Sequence, residues 1–190
     1  MLLAACAPDA GGTGSRAAGP AVPPATHDAV FLDREECAAG DLAGSYREVA
    51  CSDPSARARV VTRLYGLLPA SPSPAPPAAT RVGDRCSPTA DFLLTVTAAR
   101  PQGYACMRNL QAPHPGDPGG GGGPRTIAGD CVYTSRKGQV KEARCDGSGP
   151  HAPQFRVVEL ARSRRSCPKG TALYVVVGAG PAGVGCARRL

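Results

Sequence analysis

The sequence is poor in the side chains that usually fill a protein core. It has no tryptophan, only three phenylalanines and five tyrosines among 190 residues, and no run that approaches the roughly 20 apolar residues of a membrane span. A core built from Val, Leu and Ala buries little apolar surface, so it barely outweighs the conformational entropy of the chain. We therefore expect small modules that need covalent support.

The sequence also lacks the spacings typical of metal sites and of nucleophilic catalysis. No two cysteines stand in a Cys-x-x-Cys arrangement, and His27, His114 and His151 lie in Pro- or Ala-rich stretches. Closed zinc sites need clustered ligands, so we expect no metal and no cofactor. No nucleophile motif accompanies His151 and the nearby Asp146, so we predict that the protein is not an enzyme.

The chain does contain nine cysteines, 24 glycines and 20 prolines. Nine unclustered cysteines favour disulfide bonds and an oxidising compartment over the alternative of free thiols in a cytosolic protein. Low-complexity stretches then suggest the boundaries: a start and flexible tether at 1–30, module 1 at 31–110 with a Pro-rich insertion at 66–80, a Gly/Pro linker at 111–124, and module 2 at 125–190.

The two modules repeat one cysteine pattern. The first two cysteines of each module are 14 residues apart, with a glycine midway where a hairpin would turn: Cys37, Gly44 and Cys51 in one copy, Cys131, Gly138 and Cys145 in the other. Both copies end in Pro-x-Gly-x-x-Cys-x-Arg-x-Leu, at residues 101–110 and 181–190. A rival alignment of Cys86 with Cys131 leaves Cys37 and Cys51 without counterparts.

Four cysteines in a module allow three connectivities, so the pairing is a preference. We favour first with second and third with fourth, which gives Cys37–Cys51, Cys86–Cys106, Cys131–Cys145 and Cys167–Cys186. Hairpin geometry supports the first pair of each module, since facing strand positions meet disulfide distances. For the fold class we expect α+β: two small disulfide-bonded modules, each a short antiparallel sheet with a short helix near residues 54–64 or 161–171.

The ninth cysteine, Cys6, follows Leu3-Ala4-Ala5, which resembles the lipobox of bacterial lipoproteins. Such a cysteine carries the lipid that holds the protein on the membrane. A signal peptide also needs a basic and an apolar region. Either these lie upstream of Met1, which we expect, or the resemblance is accidental. The predicted location is therefore the outer face of the cell membrane.

The run Tyr174-Val175-Val176-Val177 followed by Gly178-Ala179-Gly180-Pro181-Ala182-Gly183 resembles the first strand and glycine turn of dinucleotide-binding folds. Such folds continue with a helix, a second strand and an acidic residue about 20 positions later. That continuation would have to lie beyond Leu190. A redox or FAD/NAD-linked enzyme fragment is accordingly the alternative function.

Module 2 is the basic part of the chain. Residues 125–190 contain 12 Lys and Arg against 4 Asp and Glu, a net +8, whereas residues 31–110 have a net +1. The candidate contact surface comprises Arg162, Arg164, Arg165 and Lys169. Without interleaved aromatics we expect no nucleic acid as partner. Anionic lipid head groups or cell-wall polymers are the expected partners, and a merely solvated basic face is the alternative.

Several segments resemble the LppU-like lipoproteins of actinobacteria: Gly129-Asp130-Cys131, Cys51-Ser52-Asp53-Pro54, Cys86-Ser87-Pro88-Thr89-Ala90-Asp91 and the Pro150-His151-Ala152 that follows Cys145. The resemblance covers roughly residues 31–190. It implies a cell-envelope lipoprotein with small disulfide-linked domains and no assigned activity, and it brings no catalytic residues. Glu36-Cys37 departs from the pattern, because it lacks the Gly-Asp before the first cysteine.

Overall fold

The structure, a computed structural model, describes residues 30–40, 46–66, 82–97, 102–177 and 183–190. Within these ranges the chain forms two antiparallel sheets of five strands each. The first sheet contains β1 (Cys37–Ala39), β2 (Arg47–Val49), β3 (Ala58–Tyr65), β4 (Phe92–Val96) and β5 (Gly103–Asn109). The second contains β6 (Cys131–Arg136), β7 (Gln139–Ala143), β8 (Phe155–Ala161), β9 (Leu173–Val176) and β10 (Val184–Arg189).

The two sheets have the same strand order, β2-β1-β3-β5-β4 and β7-β6-β8-β10-β9. In each, a hairpin of the first two strands pairs with a long third strand, which pairs in turn with the fifth. Each third strand is interrupted by a bulge at the same place, Val61 in β3 and Val158 in β8. Since bulges are specific local features, their coincidence indicates two copies of one fold.

The expectation of an α+β fold is wrong. Residues 58–64 of the first expected helix belong to β3, and the second expected helix contains only the end of β8 and a single 3-10 turn at Arg164–Ser166. The pattern in β3 has a period of two: Ala58 and Val60 are buried at 1% and 0%, whereas Arg59 between them is exposed. The consecutive β-branched residues Val60-Val61-Thr62 also favour a strand over a helix there.

One face of each sheet carries its apolar core. Val60, Ala105 and Met107 pack with Leu32 and Ala38 in the first sheet, and the second has a smaller cluster: Val132, Val157, Val175 and Ala187. Successive side chains of a strand point to opposite faces. Cys106 and Arg108, which flank Met107, therefore lie on the other face, as do Cys186 and Arg188 in β10. We call this second face the disulfide face.

The Gly/Pro segment 111–124 packs against residues of both sheets. The amide of Gly116 donates to the Asp91 carboxylate at 2.9 Å, and the amide of Gly119 donates to Asp130 at 3.1 Å. Gly116 has no room for a side chain, because a Cβ there would collide with the carbonyl oxygen of Ala90. The glycines of this segment thus permit close backbone contact with the modules on either side. The Pro-rich insertion at 66–80 lies outside the described residues, apart from Gly66.

Candidate functional site

Four disulfide bonds brace the disulfide faces, and their pairs are those that the sequence favours: Cys37–Cys51, Cys86–Cys106, Cys131–Cys145 and Cys167–Cys186. Their Cα–Cα distances of 5.0 to 5.6 Å are ordinary for disulfides. The expectation that disulfide bonds are present is confirmed. They are typical of a protein that folds in an oxidising, extracytoplasmic environment.

The hairpin geometry differs in detail from the expected one. Cys131 faces Ala143 across the β6–β7 pair, and its disulfide partner Cys145 lies two residues further on, beyond the end of β7. The same offset separates Val49, which faces Cys37, from Cys51. Gly138 occupies the β6–β7 turn with a φ of +75°, where a glycine is favoured. Gly44, its counterpart, lies outside the described residues.

Cys6, the expected lipidation site, also lies outside the described residues. Among those that are described, no helix has the length and apolar character needed to cross a membrane.

The predicted basic surface is exposed along its whole length, at Arg162, Arg164, Arg165 and Lys169. The 3-10 turn Arg164–Ser166 contains two of these four residues, Arg164 and Arg165, and ends directly before Cys167. The bond from Cys167 to Cys186 ties this segment to the disulfide face of module 2. The Arg164 guanidinium lies over the Tyr174 ring, 5.6 Å from its centre. Within the described part of the chain, none of these four residues forms an ion pair.

The glycine-rich motif of module 2 joins two antiparallel strands. Residues 178–182 lie outside the described residues, but β9 before them pairs with β10 after them, and the Val177 amide donates to the Gly183 carbonyl at 3.2 Å. A dinucleotide site would need the amino end of a helix at this point. Residues 184–189 form a strand instead.

Two pairs of carboxylates occupy equivalent positions in the modules, and the sequence reasoning missed them. Glu36 and Asp130 directly precede the first cysteine, and each accepts the amide of the residue three positions earlier. Glu48 and Glu142 each lie eleven residues after that cysteine and face Ala38 and Val132 across the hairpin. The alignment of Cys37 with Cys131 already places both pairs at equivalent positions, but it does not show that the side chains are buried.

Burial raises the pKa of three of these carboxylates. It raises the pKa of Glu142 to about 7, although the Thr126 hydroxyl donates a hydrogen bond to it at 2.5 Å. Burial also raises the pKa of Asp130 and of Glu36, and the Glu48 carboxylate adds to the effect at Glu36. Glu36, Asp130 and Glu142 are therefore structural acids that hold a proton to higher pH than an exposed carboxyl does.

Asp91 is the most fully bonded carboxylate of module 1. Its side chain is completely buried and accepts hydrogen bonds from the amides of Asn109 and Gly116 at 2.8 and 2.9 Å. It also contacts Arg108 at 3.3 Å and the imidazole of His114 at 3.2 Å. The cluster fixes the start of segment 111–124 on the first sheet.

An open cleft of about 360 Å³ lies beside β3, lined by Asp33, Arg34, Val61, Thr62, Arg63 and Tyr65. The Tyr65 hydroxyl donates to the Asp33 carboxylate, which lowers the pKa of Asp33 and raises that of Tyr65. The cleft thus presents an ionised acid paired with a neutral phenol. Across the described ranges, no three Asp, Glu, His or Cys side chains are grouped as metal ligands.

No protein-family model matches the chain, and comparison with curated proteins and with solved structures likewise finds no significant match.

Proposed function

We propose that this is a non-catalytic, extracytoplasmic protein of the cell envelope, whose second module contacts anionic lipid or cell-wall polymer. The observation that carries the proposal is the exposed basic segment Arg162, Arg164, Arg165 and Lys169, which a disulfide holds on the sheet. Holding the segment in place lowers the entropy that binding would otherwise cost.

Electrostatics supports an anionic partner. Module 2 has a net charge of +8 against +1 for module 1. Each basic residue close to an anionic membrane contributes about 1 kcal/mol, and the effect fades within a Debye length of about 8 Å at physiological salt. Four basic side chains on one short segment can approach such a surface together.

A lipid on Cys6 would place this module within reach of the membrane. The 24 residues from Ala7 to Val30 are mostly Ala, Gly, Pro and Thr, a composition typical of the tether between a lipid anchor and the first folded module. The proposed anchor and the resemblance to LppU-like lipoproteins make a common prediction. The DNA upstream of Met1 should encode an in-frame basic and apolar signal segment, and a stop codon there would contradict the anchor.

Sedimentation with vesicles tests the contact surface. We expect the protein to bind vesicles that contain anionic phospholipid at low salt, and the quadruple variant R162Q/R164Q/R165Q/K169Q to bind at least about tenfold more weakly. The control removes the same number of exposed charges from module 1: R34Q/R47Q/R57Q/R85Q. Equal losses in the two variants would show that only net charge matters.

Thiol titration separates this function from the redox or flavin-linked alternative. In the described residues all eight cysteines form disulfides, so we expect eight unreactive cysteines in protein purified without reductant. Two or more reactive thiols in each chain would contradict the proposal, since a redox enzyme requires an accessible thiolate.

A further inference from the structure

Both sheets place two arginines face to face across their third and fifth strands. Arg59 of β3 is opposite Arg108 of β5, and Arg156 of β8 is opposite Arg188 of β10. The pairs are equivalent, because Arg59 also pairs with Cys37 and Arg156 with Cys131. Like charges directly opposite on one face destabilise a sheet unless an anion lies between them.

In module 1 the anions come from the module itself and from segment 111–124. Glu35 lies 3.4 Å from the Arg59 guanidinium. Asp91 and Asp117 lie 3.3 and 2.7 Å from that of Arg108. The arginine pair of module 1 is thereby neutralised within the protein.

Module 2 lacks two of the counter-charges that module 1 has. Gly129 occupies the position of Glu35: its amide donates to Val157 as that of Glu35 donates to Val60. Ala172 occupies the position of Asp91: its amide donates to Ala187 as that of Asp91 donates to Met107. The backbone is retained at both positions while the carboxylates are absent.

The arginines of module 2 are consequently free to bind an external anion. Arg156 and Arg188 are both exposed and, within the described part of the chain, their side chains form no hydrogen bond or ion pair. Glu159 lies opposite Cys186, and it forms no ion pair with either arginine. Tyr174, which pairs with Cys186, lies on the same face.

We infer that Arg156 and Arg188 form a binding site for a phosphate group. Facing residues of a sheet have Cβ atoms about 5 Å apart, so both guanidinium groups can reach the oxygens of a single phosphate. Their planar forks match the geometry of phosphate oxygens, and their two positive charges balance a phosphate of charge about −2. The inference rests on the proposed function, because it identifies the chemical group that module 2 recognises on its anionic partner.

The test measures the binding of inorganic phosphate by calorimetry and by the NMR shifts of the arginine Nε–H groups, at low salt and pH 7. We expect R156Q and R188Q each to weaken phosphate binding about tenfold. A172D should do the same while leaving both arginines in place, because it restores the counter-charge of module 1. R59Q is the matched control in module 1 and should not change binding.

Two results would overturn the inference: unchanged phosphate binding in A172D and R188Q, or an equal loss in R59Q. Acetate at the same ionic strength should bind much more weakly, and equal affinity would overturn the assignment to phosphate. Vesicles with anionic phospholipid and a soluble poly(glycerol phosphate) distinguish a lipid head group from a polymer as the source. If the quadruple variant loses partner binding while R156Q/R188Q retains it, the phosphate site fails and the proposed function stands. If neither variant loses it, both fail.

Discussion

The two modules share their strand order and backbone hydrogen bonds, but they differ in whether their facing arginines have acidic partners. Strand order, bulge position and disulfide pairs coincide, and so do the hydrogen bonds that end at Val60 in one module and Val157 in the other. Module 1 places Glu35 and Asp91 beside its facing arginines, whereas module 2 has Gly129 and Ala172 there.

The difference shows which features of the repeat hold the fold together. The shared features are backbone hydrogen bonds, core positions and cysteines, which any copy needs in order to fold. The ion pairs are not shared, so a sheet of this topology can form without them. Module 1 balances the charges of its facing arginines internally, whereas module 2 leaves them on an open basic surface.

The disulfides should matter equally to both modules, with the largest effect of any change. Replacing Cys37 and Cys51 by serine, or Cys131 and Cys145, should cost about 3 kcal/mol of unfolding free energy in either case. Both bonds close loops with a sequence separation of 14. Urea denaturation followed by circular dichroism measures the loss. If only one of the two double variants lost unfolding free energy, the two disulfides would not be equivalent.

Asp91→Asn should destabilise module 1 by about 1 to 2 kcal/mol, because it weakens the buried hydrogen bonds from Asn109 and Gly116, whereas Arg108 keeps its ion pair with Asp117. The equivalent change in module 2, Ala172→Asn, alters an exposed residue and should stay within about 0.5 kcal/mol of the wild type. If urea denaturation showed similar losses of unfolding free energy for the two variants, Asp91 would have no stabilising role that Ala172 lacks.

Gly103→Ala should cost about 2 kcal/mol or more. Gly103 has a φ of +148°, and a Cβ there would collide with the carbonyl oxygen of Leu64. Its counterpart Gly183 has the nearest atom, the Arg162 carbonyl oxygen, at 3.8 Å, so Gly183→Ala should have little effect. Thermal melting of both variants compares them directly. If G183A lowered the melting temperature as much as G103A, the glycine motif of module 2 would have a structural role that this fold does not explain.

The pH dependence due to Glu142 should be the smallest effect. With a folded-state pKa raised by burial to about 7 from 4.5, the folded protein retains a proton that the unfolded chain releases between these values. Stability therefore falls as the pH rises through this window, by about 1 to 2 kcal/mol given the partial exposure of the side chain. Urea denaturation at pH 5 and pH 7.5 should show this fall in the wild type and in the exposed control E159Q. A fall of the same size in E142Q would show that another group is responsible.

The sequence predicted the features of this fold that depend on spacing along the chain. The separation of 14 between Cys37 and Cys51 and between Cys131 and Cys145 indicated hairpins, and the structure has hairpins there. The helix prediction failed because it gave no weight to the alternation of Ala58, Arg59 and Val60, a local signal that was available.

The neutralisation of the arginines could not be predicted in the same way. Asp91 and Arg108 are 17 residues apart and meet because β4 and β5 are neighbours. Glu35 reaches Arg59 only when segment 30–36 lies beside β3, where its amide donates to Val60. Such contacts require the strand register, which composition does not supply. Once the register is known, the exchange of Asp91 for Ala172 can be identified from the sequence.

Segment 111–124 has a consequence for the ancestry of this protein. Gly116 donates its amide to Asp91 of the first sheet, and Gly119, only three residues later, donates to Asp130 of the second. A recombination that separates the copies at Gly116 or just before it would take a bonding partner from a buried carboxylate. A recombination that leaves both carboxylates with their partners would have to fall between Gly116 and Gly119, so the chain offers few positions at which the two copies can be exchanged separately.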